Sequence, residues 1–378
     1  MPSPLSGQRI GLLSSWLSPR NGGVFEAVLA QAAIVRELGA EPVLLGLRDD
    51  RFDEALLAGH EYHVADVIGP EAVGFAPSLS TLFDKAGLDV LHLHGIWHYP
   101  TIAANHWAAR TRRSLIVSPH GMLADWIVHR NRWKKAVWER AFERPMWRRA
   151  RMFHALTDNE ANEIGRSTGQ GPIRVIPNPA PQPALGPRSF PPPHFLYLGR
   201  IHPKKNLATL VAAWENALTP ETDCKLTIAG WGDPSNVAEL REWIDASPAR
   251  TSIDFVGPVY GEAKNALLEQ ARYLVLPSFS EGLPMAVLEA WSAGTPVLMS
   301  PECGLPVGYE RGAAIDCGTT PSAVAAALRA GISMDASQWQ AQSLASVSLA
   351  DNEFGHKMVA EQWGNLYGSV LCETPNRA

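Results

Sequence analysis

The sequence predicts an α/β protein made of two parallel-sheet domains. Its 378 residues suggest about two domains at roughly 150 residues each. Short apolar runs alternate with longer helical patterns along most of the chain, as they do in parallel sheets covered on both faces. One proline-rich stretch near the middle interrupts that alternation, and the pattern restarts immediately after it.

Taken in order, the first set of expected strands is Ile10–Ser14, Pro42–Leu47, Asp89–His94, Leu115–Ser118, Met152–Leu156 and Arg174–Ile176. A helix is expected over Val24–Leu38, where Val24, Val28, Val35 and Leu38 fall near helical spacing. The interruption, Ile176–Phe195, contains eight prolines, and proline suits neither a helix interior nor a central strand. It reads as a stiff connector. The second set of strands is Phe195–Leu198, Lys225–Ala229, Ile253–Val256, Tyr273–Leu276 and Pro296–Met299, with a helix at Leu207–Ala217. After Gly318 the pattern is helical, and Phe354–Leu371 is expected to form one long terminal helix. The divisions expected are 1–180, a linker at 181–194, 195–355, and a final helical segment at 356–378.

Composition is that of a globular chain able to bury two cores, 46% hydrophobic and 19% charged. A net charge of −5 offers no field for a polyanion, so no nucleic-acid partner is expected. The four cysteines have no metal-ligand spacing and read as reduced thiols in a cytosolic protein. The apolar run after Arg9 is too short and too polar for a signal peptide or a membrane span.

Four segments are candidates for chemistry. In Ser280–Ala290, SEGLPMAVLEA, Gly282 permits a tight turn and Pro284 suits a helix start. Glu281 then lies just before the helix and Glu289 in its second turn. A helix start at the carboxyl end of a strand is where α/β sheets bind ligands. There Glu281 can accept sugar hydroxyls and Glu289 a ribose diol. Alternatively Glu281 only caps the helix and Glu289 faces solvent. In Tyr197–Leu207, YLGRIHPKKNL, a strand runs into Gly199 and Arg200, and Asn206 suits an N-cap. Arg200 and Lys205, both expected on an exposed surface, suit a diphosphate; the alternative is a solvated basic turn. Asn21–Val24, NGGV, offers backbone at Gly22 and Gly23 for close approach to phosphate. Neither GxGxxG nor GxxxxGK[ST] is present, which argues against a standard dinucleotide fingerprint and a P-loop. Finally, His92, His94, His98 and His120 lie at or beyond strand ends. They read either as donors to a substrate or as packed walls, with a metal site the least favoured reading.

Together these segments resemble the retaining GT-B glycosyltransferases of family four, the glycosyl transferases group 1. The resemblance rests on Glu281 and Glu289 around GLP, on GRIHPKKN, and on SPHGML, VIPNP and LVLPSFSEGLP in that order. It covers almost the whole chain from Asn21. It implies two Rossmann-like domains facing across a cleft, with the C-terminal helix crossing back to the N-terminal domain. The donor, a nucleotide-diphosphate sugar, would bind the second domain, and a glycan or lipid-linked acceptor the first. By the same resemblance Arg200 and Lys205 hold the diphosphate, Glu281 the donor sugar and Glu289 the ribose. Gly199, Gly282, Leu283 and Pro284 line the donor, and Gly22 and Gly23 approach its phosphates. His120 sits by the reacting carbon, and His94 and His98 are acceptor-side candidates. No metal and no cofactor is implied. VIPNP departs from the asparagine-glycine frequent in the family, outside the site.

A nucleotide-sugar 2-epimerase on the same fold is one competing reading, and a non-catalytic nucleotide-sugar-binding protein another. The presence of Arg200, Lys205 and Glu281 together favours transfer. Residues 126–151 hold nine Arg or Lys against two Glu, with four tryptophans. A basic, Trp-edged helix suits an anionic membrane surface, so a peripheral place on the cytoplasmic face is one expectation. The other is a structural helix whose tryptophans are core.

Overall fold

A computed structural model describes residues 5–123, 136–169, 171–183, 186, 188–218 and 223–372. The chain forms two compact units: Met1–Pro177 together with Val359–Ala378, and Asn178–Met358.

The sheet of the first unit contains β1 (Arg9–Trp16), β2 (Glu41–Leu47), β3 (Glu61–Ala65), β4 (Val90–His94), β5 (Ser114–Ser118), β6 (Met152–Ala155) and β7 (Ile173–Val175). Their order is β3-β2-β1-β4-β5-β6-β7, every pair parallel. β4 and β5 are buried at every position, as strands covered on both faces must be. Strand order reverses beside β1, so the carboxyl ends of β1 and β4 flank the switch point where such sheets bind ligands.

The second unit repeats the plan with β8 (His194–Leu198), β9 (Lys225–Ala229), β10 (Ile253–Gly257), β11 (Tyr273–Leu276), β12 (Val297–Met299) and β13 (Ala314–Asp316). The order β10-β9-β8-β11-β12-β13 places its switch point between β8 and β11. Trp214, Trp291, Trp339, Tyr197 and Tyr273 are among the largest side chains buried here.

The terminal helix expected over Phe354–Leu371 is present as His356–Cys372, set off from the helix before it, Ala336–Phe354, by Gly355 at an extended ψ of 142°. The structure differs from the sequence reading in three places. β3 and β13 are additional strands. Where described, the stretch expected as a linker over 181–194 is fastened to the second unit: Ser292 Oγ donates to Pro181 O, and Arg272 Nη2 to Pro191 O. Asn206 precedes its helix but does not cap it; its amide donates to Pro277 O and Thr319 O. Among the described residues, no helix is long and apolar enough to cross a membrane.

Candidate active site

In the second unit, β8 and β11 end side by side and deliver the two predicted motifs to one place. The turn after β8 requires a close backbone approach. A Cβ on Gly230, at φ +156°, would lie 1.8 Å from Gly199 O, so only glycine fits there. The turn then makes a short 3-10 helix, Pro203–Lys205, and Phe279 N donates to Lys204 O, tying it to the loop after β11. Lys205 Nζ meets Glu281 Oε1 at 2.5 Å, and Ser278 Oγ donates to that same oxygen at 2.6 Å. Lys205 was expected on an exposed surface; its side chain is only 13% exposed and that of Glu281 6%. Both bonds fall on the same oxygen, Oε1.

Arg200 is the more exposed cation. It faces Asp233 at 3.5 Å and stacks 5.2 Å above the half-exposed Trp231 ring. Glu289 lies on the helix Met285–Ser292, in its second turn as expected, and pairs with Lys264 Nζ at 2.8 Å. Gly282, Leu283 and Pro284 form the turn into that helix, with Pro284 at its N-cap.

In the first unit, Gly22 at φ +57° precedes the helix Gly23–Glu37, and Asn21 Nδ2 donates to Ser14 Oγ at 2.6 Å to hold the turn. A Cβ on Gly22 or Gly23 would meet nothing within 4 Å, so backbone here borders open space. His92 is structural. Tyr367 OH accepts from Gln31 Nε2 and contacts His92 Nδ1; His92 Nε2 contacts Ser118 Oγ, which contacts His154 Nδ1. His154 Nε2 ends the series on the carbonyl of Ile176, which can only accept, so every proton along it points the same way. Burial keeps both imidazoles neutral, with His154 held down to about 4.

His94 Nδ1 bonds His120 Nε2 at 3.0 Å. His120 has φ +54°, and the next residue, Gly121, donates its N–H to Glu160 Oε1 at 2.6 Å. Glu160 also accepts from Leu156 N while its own N–H bonds the N-cap Thr157, so one carboxylate closes a helix start and pins the His120 turn. His98 precedes the helix Tyr99–Thr111 and meets Ser15 Oγ at 3.3 Å. Among the described residues no group of three or more His, Cys, Asp or Glu is placed to hold a metal.

Ser278, Lys264, Trp231, Glu160 and Glu143 were not foreseen. Ser278 was within reach of the sequence, three residues before Glu281 in one loop. The others sit on separate elements, and no local pattern announces them. Residues 124–135, which include much of the basic, aromatic segment, lie outside the described residues. In the described part Trp147 is core, and Trp138 Nε1 donates to the buried Glu143 at 3.1 Å.

Glu143 also accepts Trp97 N at 2.8 Å, and burial pushes its carboxyl from 4.5 up to about 7. A carboxyl raised on folding contributes stability that is complete below its ordinary value and lost as pH climbs through about 7. Glu143→Gln removes that loss. Relative to the parent chain, the variant is expected to gain on the order of 3 kcal/mol between pH 4 and 8. Denaturant melts at the two pH values check this; an equal difference at both would refute it.

Two family models match the chain: Glycosyl transferases group 1 over residues 192–333, and Glycosyl transferase 4-like domain over residues 22–179. The chain is 28% identical over 297 residues to the GDP-mannose:cellobiosyl-diphosphopolyprenol alpha-mannosyltransferase of Xanthomonas campestris, covering 75% of this chain and 76% of that one. It is 33% identical over 116 residues to O-antigen chain mannosyltransferase B of Escherichia coli, 29% of each chain. Among solved structures it resembles sucrose-phosphate synthase from Thermosynechococcus elongatus, with TM-score 0.76, 19% identity, and 97% and 99% of the chains covered. It also resembles Anabaena HepE in complex with UDP-glucose, with TM-score 0.74, 17% identity, and coverage of 96% and 99%.

Proposed function

This chain belongs to the glycosyl transferases group 1, and from that premise we propose that it moves a hexosyl group from a nucleotide-diphosphate sugar to a glycan or lipid-linked acceptor, with retention and without a metal. The observation that carries the reading is Lys205, Ser278 and Glu281 converging at the carboxyl ends of β8 and β11. Breaking the bond from the sugar's anomeric carbon to the phosphate oxygen leaves negative charge on the diphosphate. Lys205 and Arg200 stand ready to meet it as it develops. Glu281 orients the sugar and Glu289 the ribose. Gly199, Gly282, Leu283 and Pro284 lend backbone to the donor. In the first unit, Gly22 and Gly23 are assigned to its phosphates, His120 to the reacting centre and His98 to the acceptor side. The acceptor oxygen bonds the anomeric carbon on the face the phosphate leaves, and its proton passes to the departing phosphate. No side-chain base is required.

The relative from Xanthomonas campestris, named for GDP-mannose, makes that the first donor to try, with UDP- and ADP-sugars beside it. A thermal-shift panel identifies the donor, since a ligand at 100 times its dissociation constant adds about 2.7 kcal/mol. Transfer to a polyprenyl-diphosphate glycan is expected to survive EDTA and to give the retained anomer. Loss in EDTA with rescue by Mg²⁺ or Mn²⁺ would overturn the metal-free reading.

A lipid-linked acceptor also suits the exposed cations Arg140, Arg144, Arg148, Arg149 and Arg151. We assign them to an anionic headgroup layer, each contributing on the order of 1 kcal/mol. Co-sedimentation with anionic vesicles should weaken in salt and fall in Arg148→Glu/Arg149→Glu. Indifference of the parent chain to anionic vesicles at low salt would refute it.

A further inference from the structure

His94 and His120 stand at the carboxyl ends of the neighbouring strands β4 and β5. His94 Nδ1 lies 3.0 Å from His120 Nε2, and the rings stack at 5.2 Å with 20° between their planes. Burial holds both rings neutral, pulling His94 well below its ordinary value and His120 down to about 3. A neutral imidazole carries one N–H and one bare nitrogen, so one ring donates and the other accepts.

His94 decides which. It is 2% exposed, and among the described residues its Nε2 has no hydrogen-bond partner. The neighbouring ring of His92, 4.0 Å away between centroids, spends both nitrogens on Tyr367 and Ser118 and has none to offer. If His120 Nε2–H donated, the single N–H of His94 would sit on Nε2, buried and aimed at nothing. If His94 Nδ1–H donates, only a bare lone pair is left there. A buried donor without an acceptor is the rarer and costlier defect.

We propose that His94 is a positioning residue: its Nδ1–H donates to His120 Nε2 and locks His120 in the Nδ1–H tautomer, opposite to the Nε2–H form that free histidine favours. His120 therefore presents an N–H, and acts toward a bound sugar as a hydrogen-bond donor rather than as a base. Glu160 supports the same arrangement from the backbone by holding Gly121 N–H at 2.6 Å. The buried His94 then serves His120 and not, as the sequence suggested, an acceptor. This inference rests on the assignment of His120 to the reacting centre.

Long-range proton–nitrogen spectra of the full chain labelled with ¹⁵N-histidine test it. The His120 signals are identified by their loss in His120→Ala. In the parent chain His120 is expected to be protonated on Nδ1. His94→Leu should move that proton towards Nε2 and lower turnover by about 10²-fold, the scale of one lost donor, with little change in donor KM. His94→Asn, whose amide N–H falls where the imidazole Nδ1–H was, should restore the tautomer and most of the turnover. Protonation of His120 on Nε2 in the parent overturns the proposal, and so does a His94→Leu variant with unchanged turnover. Should His94→Leu fail to fold, the parent spectrum and His94→Asn still decide. Normal turnover in His120→Ala would instead refute the placing of His120 at the reacting centre, while the tautomer is read independently from the parent spectrum.

Discussion

Lys205→Ala is expected to lower turnover about 10²- to 10³-fold at saturating donor, the cost of removing one preorganised charge-stabilising donor. It is also expected to destabilise the second unit, because a carboxylate only 6% exposed loses its cation. Breaking a buried pair from one side costs about 3 kcal/mol. The two effects separate in the double variant Lys205→Met/Glu281→Gln, which removes both charges. It should recover stability without recovering turnover. Steady-state rates and denaturant melts on the single and double variants make the check. Near-normal turnover in Lys205→Ala would remove the leaving-group role.

Glu281→Ala is expected to separate the two halves of the donor. Loss of a charged acceptor for sugar hydroxyls costs about 1.5–3 kcal/mol, roughly 10- to 100-fold in kcat/KM with the intact sugar nucleotide. The bare nucleotide diphosphate should bind no more weakly than before. Without the 2.5 Å contact to Glu281, Lys205 gives its whole charge to the phosphates. Glu289→Ala should weaken both ligands about tenfold, because ribose is common to them. Calorimetric titration with nucleoside diphosphate, set beside turnover of the sugar nucleotide, decides. Equal losses on both ligands in Glu281→Ala would refute the division of roles.

Eleven strands were legible because buried parallel strands are near-continuous apolar runs. β3 was not: EYHVA is an edge strand, exposed or half-buried at four of five positions, and has little apolar character to read. β13, AID, offers only two apolar residues before a charged one. In the site, sequence placed Glu281 and Glu289 by their shared helix start, and Arg200 and Lys205 by their shared turn. It could not join the two. Lys205 and Glu281 are 76 residues apart, and Lys264 meets Glu289 from another helix, so only the sheet order brings them together. The histidines show the same limit. Period two set His92 and His94 on one face, yet Tyr367 claims the first and His120 the second.

The row of hydrogen bonds from Gln31 through Tyr367, His92, Ser118 and His154 to Ile176 has a consequence for the order of synthesis. Its first and last members leave the ribosome early, but Tyr367 follows only after about 180 further residues, Asn178–Met358. At roughly 5–20 residues per second, that is about 10 to 35 seconds in which His92 is buried beside an unfilled place or not buried at all. The second unit, continuous in sequence, has every partner it needs before the first is complete. The unit translated first is thus the one finished last, and during that interval its open seat for Tyr367, and for Trp363, whose ring packs 4.5 Å from that of His154, is the surface a nascent-chain chaperone would meet.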